Sequence, residues 1–159
     1  MAKVLFINPV VREEDEPRHV PYGIALLAAI VMKEGHLVQI YDANAWRAGD
    51  DVLRQSLEAD DWDVIALGGI TTAYGYIKKI VQFAKRYAPR AKVVAGGGFL
   101  TSMPHDIMGF LPEIDVGVVG EAFETFSEIL KMIDEGQEDW SKIDGVIFRK
   151  PDGNLHLTP

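Results

Sequence analysis

Glycines and threonines follow two buried strands, and these residues carry the strongest chemical signal in the sequence. The first strand is the apolar run VIAL (64–67), followed by Gly68, Gly69, Ile70, Thr71 and Thr72; the second is KVVA (92–95), followed by Gly96, Gly97, Gly98 and Phe99. Glycine lets a ligand approach the backbone closely, and threonine hydroxyls can form hydrogen bonds with it. The pattern predicts a rim of strand ends, bare of side chains, against which a bulky cofactor can rest.

Signatures of other chemistries are missing. No glycine-rich fingerprint follows the first strand, and no phosphate-binding G-x-x-x-x-G-K-[ST] motif is present. A phosphorelay receiver would need an aspartate at the end of the third strand, where this chain has Gly68. The four histidines lack metal-ligand spacing, and the absence of cysteine excludes a thiolate-held iron–sulfur cluster within these residues. We therefore predict a cofactor-binding chain without catalytic or metal-ligating residues of its own.

Composition narrows the class of protein further. The 159 residues are 48% hydrophobic and carry a formal net charge of -8, which disfavours binding to nucleic acid. The longest apolar run, 23–32, is shorter than a membrane span. The chain passes from Met1 directly into a strand, which leaves no room for a signal peptide. We expect a cytoplasmic protein with no nucleic-acid or membrane partner.

Strands alternate with helices along most of the chain. We predict strands at 3–8, 37–41, 64–67, 92–95 and 115–119, and helices at 21–34, 51–59, 73–88, 104–110 and 121–135, with Thr72 capping the third helix. Right-handed crossovers then give a doubly wound, five-stranded parallel sheet with the flavodoxin-like order 2-1-3-4-5. Ligands of such sheets bind outside the carboxyl ends of the strands, where both glycine runs fall.

The end of the chain does not continue the alternation of strands and helices. Residues 145–149 and 155–157 are predicted to form a hairpin around the turn Pro151-Asp152-Gly153-Asn154. We interpret 1–137 as the cofactor domain and 138–159 as a hairpin and linker leading towards a further part of a longer protein.

Several segments together resemble the N-terminal cobalamin-binding domain of class B radical S-adenosylmethionine methyltransferases and related iron–sulfur oxidoreductases. The matching segments are VLFINP (4–9), PYGIALLA (21–28), EGH (34–36), DAN (42–44), GITT (69–72), GGG (96–98), GEAFETF (120–126) and IDGV (143–146). Their order and spacing carry the resemblance, which covers nearly the whole chain. Ala122 and Phe123 stand where glycine and an acid are common in that family.

The resemblance implies base-off cobalamin, with its nucleotide tail between the ends of the central strands. It places two groups of residues on opposite sides of the tail: Gly69, Ile70, Thr71 and Thr72 on one side, and Gly96, Gly97, Gly98 and Phe99 on the other. It also places Gly120 and Glu121 near the base of the tail, and Asn8, Pro9 and Tyr22 nearer the corrin ring. Asn8-Pro9 replaces the D-x-H-x-x-G motif of histidine-ligated cobalamin domains, and His19 is the only loop candidate for a cobalt ligand. A downstream radical S-adenosylmethionine core would bind S-adenosylmethionine and a 4Fe–4S cluster, and the parent reaction would be methyl transfer.

Two alternatives stay open at this point. A stand-alone flavodoxin-like protein that binds flavin or a nucleotide would share this fold, and so would a domain that has lost its cofactor and only docks a partner. The substrate and the oligomeric state cannot be derived from these residues.

Overall fold

A seven-stranded sheet forms the centre of the molecule, in the order β2-β1-β3-β4-β5-β6-β7. In the computed structural model, which describes residues 1–16 and 20–159, the strands are β1 Lys3–Asn8, β2 Leu37–Asp42, β3 Val64–Gly68, β4 Lys92–Gly96, β5 Val116–Val118, β6 Val146–Arg149 and β7 Leu155–Leu157. Strands β1 to β5 pair in parallel, whereas β6 and β7 are antiparallel to their neighbours. The predicted order 2-1-3-4-5 with a hairpin extension is confirmed.

The helices cover both faces of this sheet. They are α1 Tyr22–Lys33, α2 Ala43–Trp46, α3 Asp50–Glu58, α4 Tyr74–Tyr87, α5 Gly98–Ser102, α6 Pro104–Phe110 and α7 Phe123–Asp134, with short 3₁₀ turns at Thr71–Ala73 and Trp140–Lys142. No helix within the described residues is long and apolar enough to cross a membrane.

Successive side chains of each buried strand point to opposite faces, which divides the core in two. On one face, Ile65, Leu67 and Val93 pack against α3, α4, α5 and α6; we call this the covered face. On the other, Phe6, Ala66, Val94 and Val118 lie towards α1 and α7; we call this the groove face. Both sets are apolar because these strands are buried on two sides.

Several predicted boundaries differ from the observed ones. The prediction that Thr72 caps the third helix is wrong: Thr71 and Thr72 lie in the 3₁₀ turn, and Ala73 occupies the N-cap position of α4, with no side-chain capping bond among the described residues. Strand β5 begins one residue after Asp115, because that carboxylate accepts hydrogen bonds from the Val93 amide at 2.7 Å and the Lys85 ammonium at 2.6 Å. Helix α7 begins at Phe123 rather than at residue 121.

The C-terminal hairpin extends the sheet itself. Strand β6 pairs with β5 from Val118↔Val146 to Val116↔Phe148. The buried Thr158 fastens the end of the hairpin, since its hydroxyl oxygen accepts a hydrogen bond from the Val146 amide at 2.9 Å. Residues 146–157 are therefore packed against the same core as the preceding strands.

Candidate functional site

A groove of about 630 Å³ opens on the groove face, between the first turns of α1 and α7. Its floor consists of Phe6, Ala66, Val94, Val118 and Phe126, none more than 4% exposed. Phe6, Ala66 and Val94 stand at one level of the sheet, because β1 pairs with β3 at Phe6↔Ala66 and β3 with β4 at Ala66↔Val94. A cavity of this size with an apolar lining is typical of a small-molecule or cofactor site.

The groove exists because α1 and α7 leave part of the groove face uncovered beside their N-terminal turns. In α1, Ala28 and Val31 are buried, whereas Ile24 and Leu27 are half-buried and line the groove. The C-terminal end of α1 is joined to the second turn of α7, since the Ser127 hydroxyl in α7 donates a hydrogen bond to Glu34, just beyond α1, at 2.8 Å. Above that contact, apolar side chains border open space.

Most of the residues predicted for the site border this groove. Those that do are Asn8, Tyr22, Gly69, Gly96, Gly97, Gly98, Gly120 and Glu121. They lie at or just after the ends of β1, β3, β4 and β5 and at the starts of α1 and α5. The structure thus brings these eight of the predicted residues together at the rim of one groove.

The other predicted residues lie elsewhere. In the part of the chain that the structure describes, the residues that border the groove do not include Pro9, Ile70, Thr71, Thr72 or Phe99. Phe99 is buried among the side chains of the covered face, and Ile70 is half exposed beside the glycine rim. His19, the loop candidate for a cobalt ligand, falls outside the described residues.

The two glycine turns touch each other rather than framing a slot. A Cβ atom on Gly97, whose φ is +87°, would lie 2.9 Å from both the backbone N and O of Gly69, and the Phe99 amide donates a hydrogen bond to the Gly69 carbonyl at 3.1 Å. A Cβ atom on Gly69 would meet Ile77 on the covered face at 3.2 Å. The expected gap between the strand tips is therefore closed by backbone, and the open space lies beside them.

Polar groups at the rim are held by other residues. The Asn8 amide donates to Asp42 at 2.8 Å, and that same carboxylate oxygen accepts from the Ala45 amide at 2.9 Å as the N-cap of α2. The Gly120 amide donates to the Thr101 hydroxyl at 3.1 Å, which ties the turn after β5 to α5. The rim is thus rigidly placed around the mouth of the groove.

Sequence reasoning missed Thr101 and the whole floor of the groove. The floor residues are every second side chain of strands whose sequences are apolar throughout. Because both faces of such a strand carry apolar residues, the sequence does not show which face borders a groove. Alanine at position 66, between two larger residues, is the one sequence signal for space there. How far α1 and α7 separate depends on tertiary packing, which no local pattern encodes.

A second, polar hollow of about 380 Å³ lies on the covered face, beneath the loop after β1. Arg47, at the end of α2, donates hydrogen bonds to the backbone carbonyls of Arg12, Glu13 and Asp15 at 2.7–3.0 Å. The Tyr76 hydroxyl donates to Glu13 at 2.7 Å, and this hydrogen bond raises the pKa of the tyrosine. Lys79 pairs with Asp50 at 2.9 Å. These groups satisfy one another and fix residues 12–15, which follow β1.

Known proteins resemble this chain over nearly its full length. It is 26% identical over 166 residues to the anaerobic magnesium-protoporphyrin IX monomethyl ester cyclase of Synechocystis, covering 99% of this chain and 32% of the cyclase. Its fold matches the radical S-adenosylmethionine methyltransferase TsrM from Kitasatospora setae with cobalamin and a 4Fe–4S cluster bound, at a TM-score of 0.85 and 23% identity, covering 100% of this chain and 29% of TsrM.

A second solved structure gives the same fold. The cobalamin-dependent S-adenosylmethionine radical enzyme OxsB, with aqua-cobalamin and S-adenosylmethionine bound, matches at a TM-score of 0.81 and 15% identity over 99% of this chain and 22% of OxsB. This chain thus spans about a third or less of the length of the proteins it matches.

The family assignment comes from the sequence itself. The profile of the B12 binding domain family matches residues 9–130, which begin directly after β1, end within α7 and include α1, β3, β4 and β5, all of which border the groove. Because this match spans well over half of the 159 residues, the chain belongs to the B12 binding domain family.

Proposed function

We propose that this chain binds cobalamin in the base-off state, with the nucleotide tail in the groove between α1 and α7 and the corrin ring above the strand tips. The observation that carries the proposal is the apolar groove of about 630 Å³ that opens beside the glycine rim. A flat base fits an apolar floor, and a rim without side chains lets a large ring lie close to the backbone.

The residues divide by position into two groups. Phe6, Ala66, Val94 and Val118 would hold the buried end of the tail by excluding water. Asn8, Tyr22, Gly69, Gly96, Gly97, Gly98, Gly120 and Glu121 would border the sugar, the phosphate and the edge of the ring. Ile70, which is half exposed beside the rim, would add an apolar contact to the corrin.

The cofactor, when bound, supplies a cobalt centre that accepts and donates a methyl group. The part of this chain is to orient the corrin, keep its tail away from cobalt and shield one face of the ring from water. None of these tasks needs a protein acid or base, which agrees with the apolar lining of the groove.

We further propose that the parent protein is a radical S-adenosylmethionine enzyme, with methyl transfer as its reaction. The relatives are about three times as long as this chain, and their names include a radical methyltransferase and a cyclase. A thiolate-held 4Fe–4S cluster and S-adenosylmethionine would bind in a downstream domain, because this chain contains no cysteine. Residues 1–137 would then be the cobalamin domain and 138–159 the connection to that core.

The direct test is to mix the protein with hydroxocobalamin and to record the visible spectrum of the protein peak after gel filtration. We expect a retained corrinoid with the spectrum of the base-off form. Flavin mononucleotide in the same assay tests the flavodoxin-like alternative. Retention of flavin without corrinoid, or of neither, would refute the proposal.

Two glycines provide a matched pair of variants for this assay. Gly23 and Gly75 are each the second residue of a helix, and a Cβ atom on either would meet no other atom within 4 Å. Gly23 borders the groove, whereas Gly75 lies in α4. We expect Gly23→Phe to weaken hydroxocobalamin binding at least about ten-fold, which corresponds to about 1.4 kcal/mol. Gly75→Phe should bind like the unmodified protein, and equal effects of both changes would place the tail elsewhere.

A further inference from the structure

The lower part of the groove is uniformly apolar. Its floor side chains, Phe6, Ala66, Val94, Val118 and Phe126, contain no nitrogen or oxygen atom, and they come from four neighbouring strands and α7. The backbone amides and carbonyls of β1, β3 and β4 at this level bond to one another across the sheet. Among the described residues, the groove floor therefore offers no hydrogen-bond partner to a buried ligand.

Polar groups begin only at the rim. Asn8 is engaged with Asp42, and the Thr101 hydroxyl accepts a hydrogen bond from the Gly120 amide. Glu121 is exposed to solvent. A polar ligand atom can find partners or water at the mouth of the groove, but it would be unpaired at the floor.

We propose that this groove selects cobamides by the polarity of their lower base and favours benzimidazole and phenolic bases over purines. The inference rests on the proposed binding of the nucleotide tail. Cobalamin carries dimethylbenzimidazole, which leaves one free ring nitrogen, and a cresol base leaves none. Adenine leaves three ring nitrogens and an amine, and each polar atom buried without a partner weakens binding.

The expected difference in affinity between the cobamides is moderate. An apolar pocket rejects an added polar group by roughly ten- to a hundred-fold, because the ligand gives up its hydrogen bonds to water without replacement. We therefore expect adeninyl cobamide to bind at least about ten-fold more weakly than cobalamin, and cresolyl cobamide to bind as tightly as cobalamin.

The experiment compares four corrinoids in their dicyano forms: cobalamin, cresolyl cobamide, adeninyl cobamide and cobinamide, which lacks the nucleotide. Two cyanide ligands keep every base off cobalt, so differences in base coordination do not contribute. Dissociation constants come from equilibrium dialysis read by the visible absorbance of the corrinoid. Equal binding of cobalamin and adeninyl cobamide would overturn the inference. Binding of none of the four would instead refute cobalamin binding itself.

Cobinamide tests whether the nucleotide tail contributes to binding at all. If cobinamide binds as tightly as cobalamin, the tail adds no affinity and does not enter the groove, which overturns the inference while leaving corrin binding intact. We expect it to bind at least about ten-fold more weakly, because the floor of the groove stays unfilled.

Adjacent residues of β4 supply the matched variants. Val94 is on the groove floor and Val93 is on the covered face, and both are essentially buried, at 2% and 0% exposure. Val94→Thr adds a hydroxyl where the base would lie, so the preference for cobalamin over adeninyl cobamide should shrink several-fold. Val93→Thr introduces the same hydroxyl into the same strand and should leave the preference unchanged. An unchanged preference in a folded Val94→Thr protein, verified by circular dichroism, would contradict the inference.

Discussion

The two faces of the sheet are built from the same strands but packed to different extents. On the covered face, a Cβ atom added to Gly117 would lie 2.7 Å from Ile147 and 2.9 Å from Leu100, so the side chains around this position leave no room for a methyl group. On the groove face, a Cβ atom added to Gly96 would meet nothing closer than Val118, at 3.6 Å. Glycine is required by packing at the first position and borders empty space at the second.

This difference in packing indicates that the two faces of the sheet have different roles. Protein cores are close-packed, and each buried methyl group stabilises the fold. The covered face follows that rule, with side chains from four helices, α3 to α6, interlocked over the strands. The groove face gives up part of this stabilisation between α1 and α7, where half-buried Ile24 and Leu27 border the groove. A ligand that fills the groove would restore the missing contacts.

The largest expected contrast comes from the two strand glycines. Gly117→Ala should destabilise the protein by about 2 to 3 kcal/mol, because overpacking forces Ile147 and Leu100 to move. Gly96→Ala should be neutral or stabilising by up to about 1 kcal/mol, since alanine reduces the entropy of the unfolded chain and meets no clash. Urea unfolding followed by circular dichroism measures both. Similar losses for the two variants would show that the faces are equally packed.

A smaller contrast is expected from truncation within β4. Val93→Ala should cost about 2 kcal/mol, from lost burial plus the cavity left on the covered face. Val94→Ala should cost about 1 kcal/mol, because its methyl groups already border open space and their removal only widens the groove. The urea midpoint should shift accordingly at an unchanged slope. A larger loss from Val94→Ala than from Val93→Ala would contradict the assignment of the faces.

The fold could be predicted from the sequence because its signals are local. Short apolar runs ending in glycine, each followed by a helical period, define parallel strands and crossovers, and these determine the order 2-1-3-4-5. The hairpin was also evident from its turn residues, 151–154. Its pairing with β5 was not, because an antiparallel addition to the sheet edge depends on contacts between residues about thirty positions apart, such as Val116 and Phe148.

The site could be predicted only at its rim. Gly69 and Gly97 stand out in the sequence, yet packing accounts for much of the need for glycine at both positions: a Cβ atom on Gly97 would meet the Gly69 backbone at 2.9 Å, and one on Gly69 would meet Ile77 at 3.2 Å. Val94 carries no chemical signal and Ala66 only that of a small side chain, and both lie on the floor of the groove. Thr72 does not cap α4, because the 3₁₀ turn that holds it places Ala73 at the N-cap. The groove depends on the space between two helices, which composition does not describe.

The smallest expected effect tests the polar hollow on the covered face, where Tyr76 donates a hydrogen bond to Glu13 at 2.7 Å. That bond favours the neutral phenol and raises the pKa of Tyr76 above its ordinary value of 10.0. Because the pKa is higher in the folded state, the stabilisation is fully present below pH 10 and is lost as the pH rises through the folded pKa. Tyr76→Phe should therefore cost less than about 1 kcal/mol at pH 8 and nothing once Tyr76 is ionised.

The measurement is the difference in urea midpoint between the unmodified protein and Tyr76→Phe, followed from pH 8 upward. Taking the difference cancels Tyr41, whose pKa is also raised, mainly by burial. Glu13→Gln keeps an acceptor but removes the carboxylate charge, so it should lower the pKa of Tyr76 towards 10.0 in a titration of the phenolate absorbance. A difference that persists unchanged at high pH would mean that Tyr76 stabilises the loop by packing alone. In that event side-chain packing, and not the hydrogen bond, would hold the hollow together, as it does the rest of the covered face. The covered face and the groove face would then differ only in how closely their side chains are packed.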